Sequence, residues 1–260
     1  MLHWLRSRRR KKLLREPFPP GWDAILRRNV PHFAVLDRDE QRRLRDLIRV
    51  FIADKYWEGC GGLALDDEIR VTIAAHACLL VLELPGELYR NVQSILVYPS
   101  TVVTPPRPIG AFEVPRAPAR GPMPILGEAQ QRGPVILVWD AVKRAGRHPE
   151  KGHNVVFHEF AHKLDMLDGA ADGTPPLHDG AEYRRWVEVC SREYLALRER
   201  SRQGRHDLLD AYAATNEAEF FAVATELFFD RPKALRSHHP DLYEVLERFY
   251  RQDPAARHAV

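Results

Sequence analysis

The sequence is short of cysteine and methionine. Its three cysteines (Cys60, Cys78, Cys190) are scattered over 260 residues. That is too few for a disulfide framework or a cysteine-rich zinc module, and it fits a reducing compartment. No apolar run reaches the roughly 18 residues of a membrane span. The best candidate, Ile69 to Leu84, is shorter and carries His76 and Glu83. The basic start is not followed by an apolar stretch of signal-peptide length. These absences predict a cytoplasmic protein. A broad basic face is missing as well. Lysine and arginine total 39 against 36 aspartates and glutamates, a net charge of +3. Residues 1–16 hold seven of the bases (Arg6, Arg8, Arg9, Arg10, Lys11, Lys12, Arg15) and one acid, Glu16, so the rest of the chain carries −3. A body of that charge argues against direct nucleic-acid binding.

What is present reads as ordinary globular material, 45% hydrophobic and 29% charged. Residues 1–20 end in Pro17-Phe18-Pro19-Pro20 and read as a basic, flexible tail, with residues 21–260 as a single domain. Trp4, Leu5, Leu13 and Leu14 would give the tail one greasy helical face, enough for weak contact with an anionic surface. Leu44, Leu47, Ile48, Phe51 and Ile52 mark a helix over about 38–56, with Asp37 and Glu40 as a capping box. A second helix near 67–84 is apolar nearly all round, so it belongs to the core. Val92 to Tyr98 and Val135 to Trp139 read as strands. Between them, 99–134 holds nine of the twenty prolines, which leaves room only for short strands and loops, for example at Phe112-Glu113-Val114. Helices are expected again over about 149–167, 181–200, 216–229 and 241–250. The fold class is α+β, mostly helical, with a small mixed sheet.

The chemistry concentrates in His158-Glu159-Phe160-Ala161-His162. On a helix, positions i and i+4 lie on one face one turn apart, so two imidazoles can grip one metal ion. Glu159 projects beside them, where it can act as a general base on a water the metal activates. The surrounding residues Val155, Val156, Phe157, Phe160, Ala161 and Leu164 make the helix a buried one, and buried polar groups need partners.

A catalytic zinc needs a third protein ligand and one open position. Asp168 follows His162 by six residues, as in metzincin-type proteases. However, Asp165 stands where that pattern wants glycine, and no methionine lies beyond Met166 to supply its methionine turn. The stronger candidate is Glu219, on a separate downstream helix. Its spacing from Asn216 also fits a capping box, so both readings stand on the sequence. Tyr212, seven residues earlier, can present a phenol to a developing oxyanion or be an ordinary half-buried tyrosine. Asp165 shares a face with His158, where it can orient a ligand's outer ring nitrogen or be a surface acid at the helix C-terminus, and Glu226 shares a face with Glu219, where it can orient a ligand likewise.

These residues resemble the Mlc titration factor A family of zinc peptidases. The resemblance rests on His158 to Asp165, the Asp210-Ala211-Tyr212-Ala213-Ala214 segment and Ala218-Glu219-Phe220-Phe221-Ala222-Val223. Supporting it are Val97-Tyr98-Pro99, Gly127-Glu128, the Gly133-Pro134-Val135 strand and the closing Phe249-Tyr250-Arg251-Gln252-Asp253-Pro254. It extends from about residue 36 to residue 254. It implies a zincin fold akin to the catalytic domain of anthrax lethal factor, with one catalytic Zn2+. His158, His162 and Glu219 would be its ligands, Glu159 the general base and Tyr212 the transition-state donor. It also implies aminopeptidase-like cleavage of short peptides, binding to the glucose-responsive repressor Mlc, and a role for the Val135–Trp139 strand as an edge that pairs with substrate. Gln130 departs from the family, which has tryptophan there, and the basic head is stronger than the family pattern. Both departures bear on substrate and partner, not on the metal site. Two other functions compete: a regulator that sequesters a transcription factor around a non-catalytic zinc, and a membrane-surface protein driven by residues 1–15.

Overall fold

The computed structural model describes residues 2–85, 89–100, 102–103, 124–125, 127–129 and 133–257. Phe112-Glu113-Val114 and Gln130 lie outside the described residues. The chain opens with α1 (Leu2–Arg15), α2 (Pro20–Asn29) and α3 (Arg38–Asp54). Both halves of the expected capping box form on α3: Asp37 Oδ1 accepts from the Asp39 and Glu40 amides at 2.8 Å, and Glu40 Oε2 accepts from the Asp37 amide at 2.9 Å. The head, expected as an arm, is placed as α1 against α3. Arg10 pairs with Asp54 at 2.7 Å, and Arg49 donates to the Glu16 carbonyl at 2.5 Å.

After β1 (Tyr56–Gly59) comes α4 (Asp67–Leu80), buried from Val71 through Leu80 as its unbroken apolar surface requires. Next are β2 (Ser94–Tyr98), the short β3 (Val102–Val103) and β4 (Pro124–Ile125), then β5 (Gly127–Ala129) and β6 (Val135–Val138). The second half is helical: α5 (Trp139–Arg147), α6 (Val155–Asp165), α7 (Gly180–Arg202), α8 (Glu217–Asp230), α9 (Pro232–His238) and α10 (Pro240–Tyr250). The helix expected over 149–167 is two pieces. A 3-10 turn at Pro149–Lys151 ends at Gly152, whose φ of +68° leaves the right-handed helix, and α6 starts afresh after Asn154.

The main sheet runs β1-β2-β6-β5. The first three strands are parallel and β5 pairs antiparallel with β6, so the sheet is small and mixed. This corrects the expected edge. The Val135–Val138 strand is internal, hydrogen-bonded to β2 on one side and β5 on the other, and β5 forms the border on the side of α6. A contiguous apolar core from Ile25 to Ala255 joins α2, α3, α4, α6, α8 and α10 to the sheet. Within it α6 and α8 are in extensive contact, which decides where the site lies.

Candidate metal centre

The first turn of α6 is closed by Asn154, whose Oδ1 accepts from the Val156 and Phe157 amides at 3.2 Å. This fixes the helix start, and with it the face on which His158 and His162 emerge one turn apart. Asn216 caps α8 in the same way, accepting from the Glu219 amide at 2.9 Å. The cap and ligand readings of Glu219 therefore separate. Asn216 does the capping, and the Glu219 carboxylate turns toward the two histidines instead.

His158 Nε2 and His162 Nε2 stand 3.2 Å apart, and Glu219 Oε2 lies 3.0 Å from the first and 3.5 Å from the second. Two atoms each roughly 2.0–2.1 Å from one zinc at the tetrahedral angle stand about 3.3 Å apart. All three spacings fall close to that edge length. Glu219 Oε2 is sealed from solvent and approaches the rings without the alignment of a hydrogen bond. Two imidazole nitrogens and a carboxylate oxygen are also the donor types zinc takes. The residues thus fit a metal ion, and among the described residues this is the cluster able to hold one.

Behind His158 stands Glu226, fully within the core. Its Oε1 is 2.8 Å from His158 Nδ1, and its Oε2 accepts from the Asn154 amide at 2.5 Å. A carboxylate only accepts, so Nδ1 carries a hydrogen, and Nε2 is the nitrogen that can offer a lone pair to a cation once its own proton is displaced. Burial opposes a charge on His158, but Glu219 and Glu226 outweigh it and raise its pKa to about 10. Burial likewise works against the Glu219 anion, and the two rings more than reverse that, holding it well below the usual carboxylate range. Burial raises Glu226, with His158 pulling the other way. A cation at the cluster competes with protons for the same atoms.

The other expected residues fall as follows. Glu159 is buried on α6 between the two histidines. Tyr212 lies in a 3-10 turn, Ala211–Ala214, that leads into α8; its ring is half-exposed and sits 6.1 Å from the His158 ring. Asp168 is not brought in: it is exposed and accepts from the Ala170 amide at 3.0 Å in a surface turn. Asp165 is buried at the far end of α6, and Glu226, not Asp165, meets the His158 ring. Asp165 Oδ2 accepts from the Gly173 amide at 3.0 Å instead. Burial pushes the Asp165 carboxyl up to about 6, and the Gly173 bond moderates the rise. Gly173 has a φ of +77°, and a Cβ there would fall 2.4 Å from the Glu217 carbonyl oxygen. The loop thus lies flush against the first residue of α8, two positions before Glu219.

Sequence reasoning missed Gly173 and also Lys163. Lys163 lies on the metal helix itself, is wholly buried, and donates to the Gly133 carbonyl at 3.0 Å. Its signal was available, since Lys163 follows Glu159 at i+4, the spacing of a helical ion pair.

A family model for glucose-regulated metallo-peptidases, M90, matches residues 4–251. The chain belongs to the glucose-regulated metallo-peptidase M90 family. An M90 peptidase is a metal-dependent hydrolase, and the cluster above supplies a place for the metal. Relatives agree in extent. An uncharacterised protein of Synechocystis is 38% identical over 97% of this chain and 90% of its own. Mlc titration factor A of Serratia proteamaculans is 34% identical over 88% of this chain and 86% of its own. That of Salmonella arizonae is 33% identical over 91% and 92%. Among the described residues, no helix of this M90 chain is long and apolar enough to cross a membrane.

Proposed function

We propose that the protein is a zinc peptidase that cleaves short peptides in an aminopeptidase-like manner. The zinc ligands are His158, His162 and Glu219. The observation that carries this reading is the convergence of their three ligand atoms at 3.0–3.5 Å, two from the helix that also bears Glu159 and one from α8. Zinc held there supplies a Lewis acid that makes water nucleophilic near neutral pH. The residues do the rest. Glu159 takes the proton of the attacking water and returns it to the leaving amine. Tyr212, at the solvent side of His158, donates its phenolic hydrogen to the developing oxyanion. Glu226 keeps the Nδ1 hydrogen of His158 and so aims the opposite nitrogen. The border strand β5 receives the peptide in extended form by strand addition, the part first expected of the neighbouring strand. The aminopeptidase direction rests on the family resemblance, as does the choice of zinc.

Bound metal and peptide-amide hydrolysis measured on one preparation of Glu159→Gln test this. Metal content should stay at the wild-type level while turnover falls about 10²- to 10⁴-fold. Undiminished turnover would end the general-base role. Glu219→Ala should strip the metal and leave the α8 cap intact, because Asn216 supplies that cap.

A second reading has an observation of its own: the relatives named Mlc titration factor A point to a repressor partner. We read the two roles as compatible, in a cytoplasmic enzyme whose domain is 21–260 and whose basic head makes at most weak contact with anionic surfaces. Glu159→Gln that still binds a Mlc-type repressor separates binding from hydrolysis. Deleting residues 1–16 should leave peptidase kinetics unchanged.

A further inference from the structure

His239 is the one buried histidine outside the metal centre whose two ring nitrogens both face carboxylates among the described residues. It lies at the junction of α9 and α10, with Nδ1 3.0 Å from Glu193 Oε2 on α7 and Nε2 3.0 Å from Asp207 Oδ1. Arg200 pairs with Asp207 from α7, and Arg192 reaches Glu193 at 3.4 Å and Asp241 at 2.5 Å. Asp207 is not at the metal, but the chain from it to Tyr212 is a run of linked turns. Asp207 Oδ1 also accepts from the Leu209 amide at 3.1 Å, Leu209 is buried, and Asp210 Oδ1 accepts from the Tyr212 amide at 2.7 Å. Carboxylates only accept, so a ring that donates from both nitrogens satisfies both acids at once. It thereby ties α7 and the α9–α10 corner to the segment that delivers Tyr212.

We propose that His239 is a positioning residue for Tyr212, acting through Asp207. Burying an acid between two helices and a turn is costly unless its partners are fixed, and here the fixed partners are His239 and Arg200. With the His239–Asp207 bond present, the 207–212 turns hold one register, and the Tyr212 ring stays beside His158. Without it, Tyr212 samples positions from which its hydroxyl misses the oxyanion. This inference rests on the peptidase reading and gives that reading a specific dependence.

Two substitutions divide the two bonds. An asparagine side chain ends near the place of Nδ1 and a glutamine near that of Nε2. His239→Asn therefore keeps a donor for Glu193 and loses the one for Asp207, and His239→Gln does the reverse. His239 is also the N-cap of α10 without a side-chain cap bond, so asparagine there does not weaken that helix. His239→Asn should lower kcat by up to about 10²-fold, the order expected of a displaced catalytic group, with KM and bound zinc unchanged. His239→Gln should restore most of kcat. In a Tyr212→Phe background, His239→Asn should cost nothing further. Amide hydrogen exchange over 207–213 should accelerate in His239→Asn and not in His239→Gln, a readout that needs no turnover. Equal losses in the two variants, a loss that persists in Tyr212→Phe, or unchanged exchange would overturn the proposal. Tyr212→Phe with wild-type kcat removes the Tyr212 reading and this proposal together. An impaired Tyr212→Phe beside a fully active His239→Asn removes this proposal alone.

Discussion

The two ends of α6 are held by different means. At the N-terminal end, Asn154 caps the helix and Glu226 bridges the Asn154 amide to His158 Nδ1, so one buried carboxylate fixes both the helix start and the ring. At the C-terminal end, His162 Nδ1 is buried with no hydrogen-bond partner among the described residues. Asp165, one turn on, instead grips the Gly173 loop, which Trp186 also holds from α7 by donating to the Gly173 carbonyl at 3.1 Å. The contacts at the first end bear on ring orientation, and those at the second bear on how α6 meets the start of α8. His158 is aimed by a hydrogen bond, whereas His162 is aimed by packing. The loop that Asp165 grips is pressed onto the Glu217 backbone, two positions before Glu219. A metal site can therefore be tuned at one end through ring basicity and at the other through helix separation.

Substitutions at each end can break that contrast. The largest effect is expected from Glu226→Gln. An amide cannot accept at both of its ends, so either the Asn154 amide or the His158 ring loses its acceptor. Zinc affinity should fall by about 10- to 100-fold in a chelator competition assay, and an unchanged affinity would remove Glu226 from the orienting role.

Asp165→Asn comes next, read against pH. The folded carboxyl titrates at about 6 against an ordinary 3.8. An acid raised in the fold contributes stability that is fully present below its unfolded value and is lost as pH rises through its folded value. The wild type should therefore lose about 2 kcal/mol of unfolding free energy relative to Asp165→Asn between pH 4 and pH 6, approaching about 3 kcal/mol over the whole range from below pH 3 to above pH 7. Denaturation of both proteins at several pH values measures the difference, and parallel curves would contradict it.

Gly173→Ala strains a positive φ and pushes against Glu217. It should cost about 2 kcal/mol in denaturant unfolding and weaken zinc binding through Glu219. A stable variant with normal affinity would show that the loop does not set the spacing. The smallest effect belongs to Asn154→Ala, a lost cap worth about 1 kcal/mol, with zinc affinity altered less than by Glu226→Gln.

How much of this was legible beforehand follows from the range of each interaction. The His158–His162 spacing, the α3 capping box and the all-buried α4 are local patterns, and the structure has each where the residues put it. The α6 start was misplaced because Val155 and Pro149 both suit a helix and only the backbone at Gly152 separates them. Glu219 was ambiguous because a cap and a ligand demand the same residue at the same spacing. That ambiguity ended only when Asn216 was seen to cap while the carboxylate faced His158. The edge strand was misassigned because Val135–Val138 is the more apolar strand, and apolarity marks burial on both sides rather than a border.

By itself the sequence determined the candidate ligand types, their helical spacing and the proposed general base among them, because those depend on residues within one turn of each other. Tertiary structure decided which distant carboxylate faces the pair, which acid orients His158, what Asp165 holds, and which strand borders the site. Those depend on how α8, the 168–179 loop and β5 pack against α6, and such contacts join residues tens of positions apart that no local period relates.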